Sequence, residues 1–282
     1  LVPFGAQAVD LFAAQKPVGD ESAETRNAAL SELLQQVLVR VSGNPAIASQ
    51  PAAADILKAA PRLVQQYRYR SVEESGELVR YLWARFDQAG VERMLRERGL
   101  PLWTQRPEVL VWLAVEQSGQ RKLLALDSEP AVREALVGRA AERGLPLQLP
   151  LMDLEDQAAL LPADLWSDYQ QNIRTASARY PHDRVLTGRL SARSGGRWQG
   201  AWTLMGPADS QRFESPALSP QETMRFAIDR TQELLAARYA PMPGAQAEDG
   251  VMVRFGGVTG LPRYAALLDL LQGLEPIQHK AL

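Results

Sequence analysis

Ala29, Leu30, Leu33, Leu34, Val37, Leu38 and Val41 recur at i, i+3, i+4, i+7 and i+8, so one apolar stripe runs along roughly five turns of helix. Asp20-Glu21-Ser22-Ala23-Glu24 ahead of it supplies an N-cap and an acidic first turn, and Gly43-Asn44-Pro45 ends it. A strand-like segment at 9–14 precedes this helix and a short helix at 52–59 follows. The runs 63–70 and 78–86 are rich in aromatic and branched residues and flank the polar stretch Glu73-Glu74-Ser75-Gly76, the pattern of two antiparallel strands. A helix over 89–98 closes the unit at Gly99.

Beyond Leu100-Pro101-Leu102-Trp103 the pattern changes. Val109-Leu110-Val111-Trp112-Leu113-Ala114-Val115 has no polar alternation, which predicts a central strand at 108–116 covered on both faces. A strand at 123–126 is expected to pair with it, and Asp127-Ser128 to cap a helix reaching Arg143. Leu147–Leu149 reads as a short strand, and helices follow at 153–161 and about 169–180. The segments 185–193 and 198–204, separated by Ser194-Gly195-Gly196, form a hairpin signal because glycine supplies positive φ. Ser219-Pro220-Gln221-Glu222 combines a capping serine, a proline at the first helical position and a glutamate at the third. A helix with Met224, Ala227, Ile228 and Leu235 on one face follows, to about Arg238. After the Pro- and Gly-containing segment 240–245, a strand at 250–258, a helix at 261–271 and a returning strand at 275–278 are expected.

These elements predict an α+β (α/β) fold of small mixed sheets with helices packed on them. The organisation is a leader remnant at 1–8, an α+β domain at 9–100, an α/β domain at 104–240 and a partial βαβ unit at 248–282. The last is too short to bury a core alone, so it packs on the second domain or the natural chain continues past Leu282.

Composition narrows the chemistry. Among 282 residues there is no cysteine, which removes thiol nucleophiles, disulfides and thiolate metal sites. The two histidines, His182 and His279, lie far apart, and His182 sits in the turn-like run Tyr180-Pro181-His182-Asp183. The 31 basic side chains, only four of them lysine, are balanced by 33 acidic ones, which gives no nucleic-acid footprint. Gly256-Gly257-Val258-Thr259-Gly260 lacks the spacing of a dinucleotide turn and the lysine of a phosphate loop, so it reads as a strand-to-helix turn. Asp153, Glu155 and Asp156 start a predicted helix, where acids favour the dipole. No metal, cofactor or membrane span is expected.

Ala6-Gln7-Ala8 after the apolar Leu1-Val2-Pro3-Phe4 has the small-x-small form of a secretory cleavage site; an engineered linker accounts for the first three residues only. The expectation is an exported, periplasmic protein. The candidate partner surface is the first hairpin, where Tyr67, Arg68, Tyr69, Arg70, Arg80, Tyr81, Trp83 and Arg85 concentrate the residue types of protein–protein hot spots. Trp198 and Trp202, four apart on a strand, share one face and read as core.

The run from Arg26 to Asn44, with Val37-Leu38-Val39-Arg40-Val41-Ser42-Gly43-Asn44, resembles a bacterial envelope family catalogued as domain of unknown function 2066. So does Val185-Leu186-Thr187-Gly188-Arg189-Leu190 with Trp198-Gln199-Gly200-Ala201-Trp202-Thr203-Leu204. More distantly, the first domain looks like the amino-terminal domain of a flagellar outer-membrane ring protein, and the middle one like small domains of Tol-system and penicillin-binding-protein activator components. These likenesses imply no catalytic residues and no shared function. The expectation is a non-enzymatic interaction or scaffold protein of the Gram-negative envelope with an envelope-protein partner. The alternatives are a ligand- or glycan-binding protein using the tryptophans, and a hydrolase with two carboxylates about 5–10 Å apart.

Overall fold

The computed structural model describes residues 10–240, apart from Ser75, the pair 104–105 and the side chain of Glu74. The expected leader remnant at 1–8 and everything expected beyond residue 240, including the 248–282 unit and His279, lie outside the described residues.

The first sheet is built from β1 (Ala13–Pro17), β2 (Val64–Glu74) and β3 (Glu77–Phe86), in the order β1-β3-β2 and wholly antiparallel. β1 begins later than the apolar pattern suggests. Asp10 Oδ1 accepts from the Phe12 amide at 3.1 Å and holds a turn there, so pairing starts at Ala13. One face of this sheet receives α1 (Ala23–Ser42), whose Leu33, Leu34, Val37 and Leu38 are fully buried. The Ser22 side chain caps the helix by accepting from Thr25 N, and Gly43 ends it in the left-handed conformation, φ 71°. The short helices α2 (Pro51–Lys58) and α3 (Ala60–Leu63) and then α4 (Gln88–Glu97), capped by Asp87, complete this core with Ile56, Leu63, Val91 and Leu95.

The second sheet runs β5-β4-β7-β8-β9, with β4 (Val109–Gln117) also pairing the two-residue β6 (Leu147–Gln148). β4 is central and parallel to β7 (Arg184–Arg193). Its odd residues Val109, Val111, Leu113 and Val115 face α5 (Pro130–Arg143) and α9 (Pro220–Tyr239). Its even residues Leu110, Trp112 and Ala114 face α6 (Leu154–Ala159), α7 (Pro162–Trp166) and α8 (Gln170–Ser177). A strand buried on both faces cannot alternate in polarity, which is why its sequence reads as one apolar run.

Several boundaries differ from the sequence pattern. The partner strand β5 (Gln120–Leu123) comes earlier than expected, because Ser118 (φ 52°) and Gly119 (φ 76°) form a two-residue hairpin turn. Asp127 and Ser128 cap nothing: Leu126–Ser128 is a 3₁₀ turn in which Ser128 Oγ donates to the Ala125 carbonyl at 2.7 Å, and α5 starts at Pro130. The helix expected over 153–161 is α6, ending at Ala159, and α7, which starts at Pro162, is a further helix that the pattern did not indicate. The hairpin of β7 with β8 (Arg197–Met205) turns through Gly195 and Gly196, both at positive φ. β9 (Ser210–Glu214), which extends this sheet beyond β8, lacks a strong apolar run because only alternate residues are covered. Ser219 and Glu222 form the capping box of α9 as the sequence indicates.

Candidate interaction surface

β2 is an edge strand. Among the described residues it pairs with β3 alone along its eleven residues, with one bulge between Val64 and Gln66. A long edge leaves a row of backbone donors and acceptors available to another extended chain.

Strand alternation divides the candidate residues between two faces. Leu82, Ala84 and Phe86 of β3 point into the α1 core, so Tyr81, Trp83 and Arg85 point away from it. The register pairs Arg68 with Trp83 and Arg70 with Tyr81, which sets Arg68, Arg70, Trp83 and Arg85 together on the open face. Tyr67 and Tyr69 pair with Ala84 and Leu82, and with Arg80 they belong to the helix side. The eight candidates are therefore not one surface.

On the open face the Arg68 guanidinium lies 4.6 Å from the Trp83 ring centroid, a cation–π contact across the strand pair. Arg85 pairs with Asp10 at 3.2 Å. Among the described residues neither Arg68 nor Arg70 forms an ion pair, so two alternate positions of the edge strand, on one face, carry uncompensated positive charge. On the helix side the positions are engaged internally. Arg80 pairs with Glu21 at 3.2 Å, the Tyr67 and Tyr69 rings meet edge to face at 6.2 Å, and Arg26 lies 5.5 Å from the Tyr67 ring. Burial pushes the Tyr69 phenol upward.

The other sequence candidates are structural. Asp153 caps α6 and receives two hydrogen bonds from Arg179, at 2.7 and 2.8 Å, which hold its carboxyl well below the usual range. Buried Asp156 accepts from Tyr180 Oη at 2.6 Å and from Met152 N at 2.8 Å. Burial, then the bond to Asp156, pushes the Tyr180 phenol up to about 12. Trp202 is fully buried and stacks on Phe213, and Trp198 is half-buried against the same core. His182 Nδ1 lies 2.8 Å from the Tyr180 carbonyl. Among the described residues no group of three or more His, Asp or Glu side chains is arranged to hold a metal ion, and no helix is long and apolar enough to cross a membrane.

One charged cluster has no counterpart in the sequence pattern. Arg40, Arg106 and Arg143 meet where the C-termini of α1 and α5 come together. Arg106 Nη1 donates to the carbonyls of Gly144 at 2.8 Å and Arg143 at 3.3 Å, its Nη2 donates to the Arg40 carbonyl, and its guanidinium lies 4.3 Å over Trp103. Burial, with the neighbouring charges of Arg40 and Arg143, lowers Arg106 to about 10. The guanidiniums of Arg40 and Arg106 satisfy helix-end carbonyls, which otherwise lack partners, while that of Arg143 pairs with Asp229 at 3.3 Å. No spacing signal marks them, since the donors lie far apart in sequence and the acceptors are backbone.

A family model described as a domain of unknown function (DUF8605) matches residues 5–104. The match takes in all of the first sheet with α1 to α4, and hence the open face and the β2 edge. It is a different family from the envelope family that the sequence resembles. No curated protein matches the chain.

Proposed function

We propose that the protein is a non-enzymatic interaction or scaffold protein of the Gram-negative envelope, working in the periplasm. Its partner is an envelope protein that presents an extended acidic segment to β2. The observation that carries this reading is the coincidence of a long strand edge, unpaired among the described residues, with two guanidiniums that form no ion pair there, Arg68 and Arg70, on the face beside Trp83. An extended segment would gain main-chain hydrogen bonds along the edge, and its carboxylates would meet the arginines. Occupied carboxylates support the non-enzymatic part: Asp153 and Asp156 are taken by Arg179, Tyr180 and a helix cap. The compartment rests on the Ala6-Gln7-Ala8 pattern, with which the absence of cysteine is compatible.

A photo-crosslinking residue at Ser71 on β2, compared with one at Arg133 on α5, tests the surface in cells. The expected outcome is a single dominant envelope-protein adduct from position 71, absent from position 133 and lost in Arg68→Glu/Arg70→Glu. The purified protein should also bind a synthetic peptide of alternating Glu and Val more weakly as salt is raised, and should ignore the Lys counterpart. Undiminished binding by the double variant would sink the assignment. Fractionation of the full-length protein with cytoplasm would sink the compartment alone.

A further inference from the structure

We infer a second, separate binding site on the other sheet, suited to an acidic monosaccharide of the uronic-acid type. It is independent of the β2 edge. The helices α6 to α8 cover β4 and the start of β7 on their face, and the far ends of β7, β8 and β9 are left open there. The open floor forms a depression of about 290 Å³, near the lower limit for small-molecule sites. Trp166 of α7 lines one side, with the Arg121 guanidinium 4.5 Å from its ring centroid.

The chemistry of the floor follows from register. Ala201 of β8 pairs with Arg189 on one side and Glu214 on the other, and Ser191 pairs with Gln199. Two strand spacings separate Arg189 from Glu214, roughly 10 Å between backbones, with only a methyl group between them. Among the described residues neither forms an ion pair. Arg189 Nη1 donates to the Trp166 carbonyl at 3.1 Å and finds no carboxylate within 4 Å; Arg193 donates only to Gln199 Oε1, at 2.8 and 3.1 Å. A cation and an anion thus stand on either side of Ala201 without forming an ion pair.

A ligand that fits carries a carboxylate for Arg189 and hydroxyls that donate to Glu214 and exchange hydrogen bonds with Ser191 and Gln199. It also carries a compact apolar ring edge to lie against Trp166. A carboxylated pyranose has all three. A plain carboxylate would leave Glu214 unused, and a neutral sugar would leave Arg189 uncompensated.

D-Glucuronate, D-glucose and acetate are the probes, read by fluorine NMR of the full chain carrying fluorinated tryptophan, with the Trp166 signal assigned through Trp166→Phe. Glucuronate should shift that signal with a Kd of about 1 mM, the scale of a shallow, open site. Glucose and acetate should each bind at least roughly tenfold more weakly. Arg189→Met should weaken glucuronate about tenfold, the loss of one charge-assisted pair. Because Arg189 also holds Trp166, Ala201→Phe provides the second variant: it fills the floor, keeps every polar group and should abolish the shift. Acetate binding as well as glucuronate would reduce the site to an ion pair and overturn the saccharide assignment. An unmoved Trp166 signal, or wild-type affinity in Ala201→Phe, would overturn the site itself. None of these outcomes bears on crosslinking at Ser71.

Discussion

Arg40 Nε donates to the carbonyl of Glu142 at 3.0 Å, across 102 positions of chain, and Arg40 Nη1 reaches the Ala13 carbonyl at 2.5 Å. One side chain thereby joins the end of α1, strand β1 and the end of α5. With Arg106 bonding the carbonyls of Arg40 and Gly144, the two helix C-termini share donors rather than solvent. Each sheet has its own apolar core, so this junction is a polar fixture between two cores. Planar guanidinium forks suit it, because several carbonyls must be reached from fixed directions.

Arg106→Ala leaves the carbonyls of Arg40, Arg143 and Gly144 without this donor and is expected to cost about 2–3 kcal/mol in urea unfolding. Arg106→Lys should recover less than half, since an ammonium cannot reproduce the fork. The folded protein holds the Arg106 proton more weakly than the unfolded chain, so this group's charge opposes folding at neutral pH. Its contribution to stability improves as pH rises through about 10. Equal stability of Arg106→Ala and wild type would show that the junction is dispensable.

At Gly188 an added Cβ would stand 2.5 Å from Trp202 Cζ3 and 2.7 Å from Leu113 Cδ2, both in the interior. Gly188→Ala is therefore expected to destabilise by about 1–3 kcal/mol through overpacking. The change is read as a lower urea midpoint with an unaltered slope.

Trp112 is fully buried, and its Nε1 donates to Ser177 Oγ at 3.0 Å. Ser177→Ala strands that N–H in an apolar site and should cost about 1–2 kcal/mol. The paired change Trp112→Phe/Ser177→Ala should cost less than the sum of the single changes. A strictly additive double-mutant cycle would refute the coupling.

The Asp153 carboxyl is held low first by hydrogen bonds from Arg179, then by the Asp156 amide. A depressed carboxylate stabilises the fold fully above its ordinary pKa of about 4 and loses that effect as pH falls further. Asp153→Asn keeps an N-cap acceptor and removes the charge. Its stability deficit should be constant near neutrality and shrink on acidification below about pH 4, as followed by circular dichroism.

Local elements were legible where a short-range rule had no rival. The α1 stripe with Ser22 and Gly43 as caps, the Ser219–Glu222 capping box and the all-apolar β4 carry their structure in adjacent residues. The rule failed where a neighbouring residue competed: Asp10 delayed β1, Pro130 took the helix start from Ser128, and Pro162 started a helix where none was expected. The hairpin surface was legible as composition but not as a face. Alternation had to be anchored by Leu82, Ala84 and Phe86 turning toward α1 before Arg68, Arg70, Trp83 and Arg85 could be separated from Tyr67, Tyr69 and Arg80.

The sequence by itself determined most of the elements, the α+β class and the apolar character of β4, because periodicity and capping act over a few residues. Only the tertiary structure decided which strand became an edge, that Arg189 and Glu214 bracket Ala201, and that three distant arginines meet at two helix ends. Those are relations between residues far apart in the chain. They are set by sheet order and register, which arise when whole apolar faces are buried together, and no local window of the sequence contains that competition.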